Sequence, residues 1–494
     1  MSKLSELLPA GGGGKQVDFV ASGTLPNGRA VLLKSNGQVE VVGTTTIAAD
    51  IPYGSETTFG TNRAQYVSKA AFDPNTVGKF VIAFVDRDNP NSNSKHAAVI
   101  VGQVSGSSIS FGTPVIINSE QSYFTTVAFD PNNANKILVA FRGSSNNYGK
   151  ARVGTISGTS VSLGSLATFN SSANTNYINI AFDPNTSNKL VISFADSGSS
   201  NSKAMVGTIS GTSVSFGSAA VFDAVQVPEH GLAFDPNIAN KFVLAYQNGT
   251  TSGLVKIGTV SGTSLSFGSA STFNSASTDD VEIAFDPNTA NKFIVVYKNR
   301  GASNVGTARV GTISNASISY GTAVVYNSDE TTDNQISFDP NTANTFVVAY
   351  YRNNGLTGRA KIGTISGTSL SFSSHYIFNP SLTNPIGVRF DPSAAGRLVF
   401  TYIDGGKAYA LTGISTHQGS NLTATNFIGI TDAAIASGAT GSVTVKGGVA
   451  TNLSSLTIGS TYYVQTNGTF ATSAGTPSVE AGKAISATSL ILKG

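Results

Sequence analysis

Two pairs of adjacent carboxylates, Asp279-Asp280 and Asp329-Glu330, are the first residues in this chain whose chemistry calls for scrutiny. A glycoside hydrolase needs one carboxyl as acid and a second as base or nucleophile, and a repeat protein can supply them from separate repeats. Adjacent acids in a polar loop are ordinarily just solvated, and the chain has only 27 acidic residues and no tryptophan. The four histidines, His96, His230, His375 and His417, form no metal-binding pair on one helix face. No nucleophile elbow or phosphate-cradling loop stands between a strand and a helix. The most regular carboxylates are those of seven Phe-Asp-Pro triplets: Phe72-Asp73, Phe129-Asp130, Phe182-Asp183, Phe234-Asp235, Phe285-Asp286, Phe338-Asp339 and Phe390-Asp391. Each opens a loop of the general form Asp-Pro-Asn-x-x-Asn-Lys, whose oxygens could be read as a calcium site. One carboxylate per loop, with no acidic partner at the required spacing, argues for a structural turn instead. Asp accepts backbone N–H bonds, Pro presets φ, and Asn tolerates the left-handed backbone that tight turns demand. The sequence therefore predicts no enzyme, no cofactor and no metal.

Successive triplet aspartates are separated by 57, 53, 52, 51, 53 and 52 residues. A period near 50 residues carrying four short strand patterns is the mark of a β-propeller blade. Strand a ends at the triplet Phe. Strand b is a continuous apolar run such as Phe293-Ile294-Val295-Val296-Tyr297, which predicts burial on both faces. Strand c resembles Ala151-Arg152-Val153-Gly154-Thr155-Ile156, and a Ser-Gly-Thr-Ser turn leads to an alternating strand d such as Val214-Ser215-Phe216. The triplet Phe should pack between blades, contributing about 1.5–3 kcal/mol per copy. Without Trp, neither the WD, the kelch nor the sialidase Asp-box pattern applies.

The expected fold is all-β: a seven-bladed β-propeller with a small C-terminal β module. The seventh repeat stops after Ala408 to Ile414, short of a d strand. The N-terminal hairpin pattern Arg29 to Leu33 and Gln38 to Val42, with Ser35-Asn36-Gly37 as its turn, supplies a candidate for closure. Whether one or both of its strands close the ring stays open, because Ala408 to Ile414 competes for position c. The organisation read this way is an arm and linker over 1–27, a propeller over 28–416 and a β module over 420–494. Leu4 to Leu8 and the glycine-rich linker to Lys15 form either a disordered tail or a docking peptide.

The repeats differ in only two places. The a-b loops and c-d turns barely change, whereas the b-c loops and d-a loops are unrelated from repeat to repeat. In an up-and-down blade the uniform loops share one face and the divergent loops the other. A rigid scaffold with variable loops is a recognition layout, and aromatic and Arg side chains are its natural anchors. The candidates are Arg87, Tyr123, Arg142, Tyr148, Tyr177, His230, Arg300, Tyr351 and Arg352.

Charged residues make up 12% of 494, with a net charge of +3 and no Lys/Arg run, which gives nucleic-acid binding no support. There is no cysteine, hence no disulfide or thiolate chemistry, and no apolar stretch long enough for a spanning helix. The start, MSKLSELLPAGGGGK, lacks the basic and apolar regions of a signal peptide.

The opening LSELLPAGGGGKQVDFVASGTLPNGRAVLLKSNGQVEVV and the closing FIGIT…GSVTVKGGVATNLSSLTIGSTYYVQTNGTF…GKAISATSLIL resemble segments of virion proteins of tailed bacteriophages, especially those of marine and cyanobacterial hosts. The AFDPN…VGTISGTSVSFGS repeats are similar to repeats in phage-like structural proteins. The resemblance implies a virion component assembled in the bacterial cytoplasm. It implies a tail-fibre or receptor-binding role, with capsid decoration, a tail structural role or a glycan-cleaving propeller as alternatives. Its partners would be other virion proteins, through the arm or the C-terminal module, and a host-surface glycan or receptor.

Overall fold

The computed structural model describes residues 15–34, 36–43, 54–59, 64–67, 70–86, 95–172, 174–228, 230–249, 252–381, 385–415, 422, 425–465, 467–474 and 478–494. The described elements are antiparallel strands, with one short 3-10 turn at Arg300–Ala302. The chain divides into two compact units, one formed by Ala49–Thr416 and the other by Met1–Ala48 together with His417–Gly494.

In the larger unit each Phe-Asp-Pro repeat is an antiparallel sheet in the order a-b-c-d. The fourth repeat is representative: His230–Phe234, Lys241–Asn248, Ser252–Ser261, and an outer strand in two pieces, Ser264–Phe267 and Ser271–Asn274. Both outer pieces pair with strand c. The break between such pieces is set by close approach. At Gly164 a Cβ would lie 1.8 Å from the carbonyl oxygen of Thr212, in the c-d turn of the next repeat. Glycine in strand c has a similar cause, since a Cβ on Gly258 would meet the Phe242 ring at 2.1 Å.

Strand b is buried on both sides because its two faces serve different cores. Phe242, Leu244 and Tyr246 pack with Val191 and Val206 of the preceding repeat. Val243 and Ala245 pack with Phe285 and Phe293 of the following one. Seven such cores recur, each shared by two successive repeats, and the last joins Val399 and Ala410 of the seventh repeat to Phe72 and Phe80 of the first. All seven triplet Phe side chains are buried, as the periodicity required.

The Asp-Pro-Asn loop is the expected turn and something more. In every repeat one Asp carboxylate oxygen accepts the backbone N–H two residues on, at 2.8–2.9 Å. The second oxygen reaches the next repeat. Asp183 accepts from the Asn240 N–H (2.8 Å), Asp235 from Asn291 (2.8 Å), Asp339 from Gly396 (2.9 Å) and Asp391 from Gly78 (3.1 Å). The donors sit at φ between 64° and 72°, which explains the Asn or Gly before the loop's last residue. The loop's first Asn crosses as well: Asn185 Nδ2 donates to the Asp235 and Pro236 carbonyls, and Asn341 Nδ2 to those of Asp391 and Pro392. The Lys189 ammonium donates to the Gly262 carbonyl, in the c-d turn of the next repeat, at 3.0 Å, so uniform loops and c-d turns share one face.

Closure differs from the expectation. Strand c of the seventh repeat is Lys407–Ile414, and its outer partner is the single segment Thr57–Phe59. Gly54 extends that strand, donating its N–H to the Thr412 carbonyl at 2.8 Å. The hairpin at 29–42 does not close this ring. It forms, with Ala30–Leu33 paired to Val39–Val41, but it belongs to the terminal unit, where Ala30–Leu33 pairs with Phe427–Thr431. The boundary expected at 28 therefore falls at 49, and residues 15–27 are structured rather than linker. Leu4 to Leu8 lies outside the described residues.

In the terminal unit two related motifs, one from each end of the chain, interlock about a local two-fold. Gln16–Val20 pairs with Thr440–Val445, and Phe427–Thr431 pairs with Ala30–Leu33. Leu25 and Ile435 exchange both backbone bonds at 2.8 Å. Ala21 N–H to the Ala439 carbonyl (2.9 Å) is matched by Thr431 N–H to the Arg29 carbonyl (3.0 Å). Gly28 and Gly438, at φ 66° and 78°, hold equivalent positions. A second sheet of Val449–Ala450, Leu490–Leu492, Val479–Ala484, Thr461–Val464 and Phe470–Ala471 completes the unit, sharing a core with Leu32, Phe427 and Ile430.

The two units should respond to substitution separately. Asp235→Ala removes two charge-assisted hydrogen bonds and should destabilise the larger unit by about 3–6 kcal/mol, read from its chemical-denaturation midpoint. Leu25→Ala should cost about 2–5 kcal/mol in the terminal unit alone, read as proteolysis of both chain ends while the repeats stay resistant.

Candidate functional site

The first strands of all seven repeats line a cavity of about 460 Å³, and the prolines of the uniform loops also contribute to its wall. Among the described residues its charged lining side chains are Glu282 and Arg389. Arg389 takes the position that is Ala71, Ala128, Ala181, Ala233 and Ala284 in five earlier repeats, one residue before the triplet Phe. Its Nη1 donates to the Ile336 and Val388 carbonyls at 3.2 and 2.8 Å. Burial draws the guanidinium below its usual pKa, and the Glu282 charge opposes that shift.

Toward the variable loops, strand a carries a bulge. Register shifts fall between Tyr123 and Thr126, Asn176 and Asn179, Asp279 and Glu282, and Thr332 and Gln335. In each bulge one non-glycine residue is left-handed: Phe124 (φ 51°), Tyr177 (51°), Asp280 (49°) and Asp333 (53°). All four stand five residues before the triplet Phe. Such conformations cost on the order of 1–3 kcal/mol each and cluster where a side chain must be aimed.

The second and third repeats make the aromatic side of this collar. The Phe124 and Tyr177 rings meet with centroids 5.1 Å apart. The Arg142 guanidinium lies over both Tyr123 (4.8 Å) and Phe124 (5.0 Å), and the Lys95 ammonium lies 5.5 Å from the Tyr123 centroid. Arg142 also donates to the Asn176 side-chain oxygen. Beside the cluster, Glu120 pairs with Lys150 and accepts the Ser145 N–H at 2.9 Å. Burial pushes the Glu120 carboxyl up, but these bonds outweigh it and hold its pKa at about 2.

The fifth and sixth repeats make the acidic side. Asp333 has its pKa pushed up to about 7, first by burial and then by the charge of Asp280, against the pull of Lys298. Tyr351, also raised by burial, feels the Asp333 charge. The two pairs of adjacent acids divide their roles. Asp279 pairs with Arg300 (3.0 Å), Asp329 with Arg352 (2.5 Å) and Glu330 with Lys298 (3.2 Å), while Asp280 couples to Asp333 across the repeat boundary.

Among the nine sequence-selected anchors, the structure gathers Tyr123, Arg142 and Tyr177. Tyr148 is half-buried in the neighbouring turn, its N–H bonded to Asn146. Arg300 and Arg352 are held in their ion pairs with Asp279 and Asp329. Two residues are placed differently from the expectation. His230 is 3% exposed, with Nε2 2.8 Å from Ser193 Oγ and its ring against Phe222, so it is a core histidine. Tyr351 is 4% exposed and buried with Phe390 and Tyr402. Arg87 lies outside the described residues. Phe124, Lys95 and Asp333 were missed; for Phe124 and Asp333 the available signal was the fixed offset from the triplet Phe.

No protein-family model matches the chain, and no curated protein matches it. Among solved structures it is similar to a protein from Lactobacillus plantarum at 13% identity, covering 73% of this chain and 95% of that one, TM-score 0.45. It is similar to Chaetomium thermophilum Sqt1 bound to the N-terminus of the ribosomal protein L10, at 12% identity, covering 72% and 85%, TM-score 0.45. Saccharomyces cerevisiae Sqt1 matches at 9% identity, covering 77% and 90%, TM-score 0.46.

The raised pKa of Asp333 fixes a sign. Between the unfolded carboxyl pKa near 4 and about 7, the folded state holds a proton that the unfolded state has lost, so stability falls as pH rises through this window. Asp333→Asn removes that penalty. Its melting temperature relative to wild type should be higher at pH 8 than at pH 4, measured by calorimetry at both values.

Proposed function

We propose that the Ala49–Thr416 unit is a seven-bladed β-propeller acting as a non-catalytic recognition domain of a phage virion, with a host-surface glycan as its ligand. Seven shared cores and the bond from Asp391 back to Gly78 support the blade count. The observation that carries the recognition reading is the bulge collar. Four repeats hold bulky or acidic residues in left-handed backbone at the loop end of strand a, and two of them build the Tyr123–Phe124–Arg142–Tyr177 cluster. Half-buried aromatic rings offer rigid amphipathic area to sugar faces at low entropic cost. A guanidinium stacked on them adds directed donors for hydroxyls or carboxylates. The sequence resemblance supports the virion context, in which the terminal β module or the N-terminal arm attaches the protein to other virion proteins.

The test uses particles. Deleting the propeller should abolish adsorption to host cells while particles still assemble; normal adsorption overturns the reading, and malformed particles favour a structural role. Arg142→Ala gives up about 0.5–2 kcal/mol of cation–π and hydrogen-bonding energy and should weaken binding of the purified protein to host cells by about 2–30-fold. Immunogold label against the propeller should lie at the tail tip or fibres. Label over the capsid would favour decoration.

A further inference from the structure

Arg389 is a large cation at a position that is small in the other six repeats. The residue before the triplet Phe is Ala71, Ala128, Ala181, Ala233, Ala284 and, in the sixth repeat, Ser337. Burial at this place lowers the guanidinium pKa, and Glu282 acts on it only through its charge, without a hydrogen bond. Buried charges are ordinarily paired. Here the chain supplies no direct partner carboxylate among the described residues.

The donors of Arg389 show what is missing. A guanidinium carries five N–H groups in one plane. Both of its protein bonds, to the Ile336 and Val388 carbonyls at 3.2 and 2.8 Å, leave from Nη1. They fix the plane across the boundary between the sixth and seventh repeats. The Nε–H and both Nη2–H groups have no protein partner among the described residues. Nε and Nη2 form one edge of the fork, and their parallel N–H groups match the two oxygens of a carboxylate.

The surroundings select the rest of the ligand. Arg389 lines the cavity of about 460 Å³, a volume that suits a small molecule. The other polar side chains of its wall are Thr126, Asn179, Ser337 and Glu282. Asn179 Nδ2 is spent on the His230 carbonyl at 2.8 Å, and Ser337 Oγ accepts the Phe390 N–H at 3.0 Å. The remaining lining residues are Ala, Val, Leu, Ile, Phe and Pro. One bidentate cation in an apolar wall calls for an anion with a hydrocarbon body. Glu282 narrows the choice, because its charge opposes every negative charge that a ligand brings and so disfavours a phosphate dianion or a polyacid. We propose that this cavity binds a small organic monocarboxylate, with both carboxylate oxygens on the Nε–Nη2 edge of Arg389. The inference does not rest on the glycan reading, since none of Tyr123, Phe124, Arg142 and Tyr177 lines the cavity.

The test is ligand-observed NMR on the full chain with benzoate, hexanoate and cyclohexanecarboxylate at millimolar concentration, each beside its amide, and with inorganic phosphate. Arg389→Ala restores the residue of five other repeats and should fold, as circular dichroism would verify. Arg389→Lys keeps a positive charge but lacks the fork, and with the amide comparison it decides the matter should the alanine variant not fold. At least one carboxylate should bind about tenfold or more tighter than its amide, and lose about tenfold or more in Arg389→Ala, with only partial recovery in Arg389→Lys. Carboxylate binding that survives Arg389→Ala, that Arg389→Lys restores in full, or that the amides equal overturns the proposal, as does a preference for phosphate. Binding of no carboxylate also overturns it and assigns the Nε and Nη2 donors to water. Each of these failures leaves the glycan reading, tested at Arg142, where it stands.

Discussion

A carboxylate that bonds two backbone N–H groups in two different repeats is the interaction on which the larger unit depends. Each triplet Asp shapes its own loop with one oxygen, and in four repeats the second holds the loop of the next. Only a short acidic side chain can serve both. Glu would place its oxygens beyond the turn, and Asn would offer one acceptor where two are needed. The Asp391 bond returns from the seventh repeat to Gly78 of the first, so one such link bridges the join between the two ends of the repeat array.

That arrangement separates the two faces by their energetics. At the uniform face, Asp, Asn and Lys side chains spend their hydrogen-bonding capacity on the neighbouring repeat, so there is little latitude for change. At the opposite face the strands end in bulges whose geometry is held by the cores beneath them. Strain at Phe124, Tyr177, Asp280 and Asp333 is tolerable there because shared cores such as those around Phe169 and Tyr326 over-determine the backbone. Variable chemistry thus sits on an invariant ring, which lets one mouth carry guanidinium-capped aromatics on one side and protonatable acids on the other.

How much of this was legible in the sequence depends on distance along the chain. The turn at each triplet, the doubly buried b strands and the alternating d strands all arise from neighbours within one repeat, and all were readable. The second Asp oxygen was not, since its partner lies 56 or 57 residues away at Asp235 and Asp183. The closing strand was misassigned for a related reason. The hairpin at 29–42 has a clear local pattern, but the choice of its partner, some 400 residues on, leaves no local mark; meanwhile Thr57–Phe59, the strand that does close the ring, is too short to stand out. At the candidate site, residue type alone picked out Tyr123, Arg142 and Tyr177, which the fold brings into one cluster. It failed at His230, whose register in a strand decided its burial, and it passed over Asp333, an isolated acid that gains meaning only beside Asp280.

The interlocked motifs at the two ends of the chain set an order on its biosynthesis. The first motif leaves the ribosome with half of its strand partners missing, and those partners lie about 400 residues downstream, as in the Ala30–Ile430 and Gln16–Thr444 pairs. At about 5–20 residues per second, translation takes roughly 20–80 s to cover that interval. During this time all seven repeats emerge, and the nascent chain must keep Gln16–Val20 and Ala30–Leu33 from pairing with the same motif on a neighbouring ribosome of the polysome. The repeats grow inside a loop that is tied off last, so emergence of the second motif, Phe427–Thr431 and Thr440–Val445, is the event that commits the chain to its final topology.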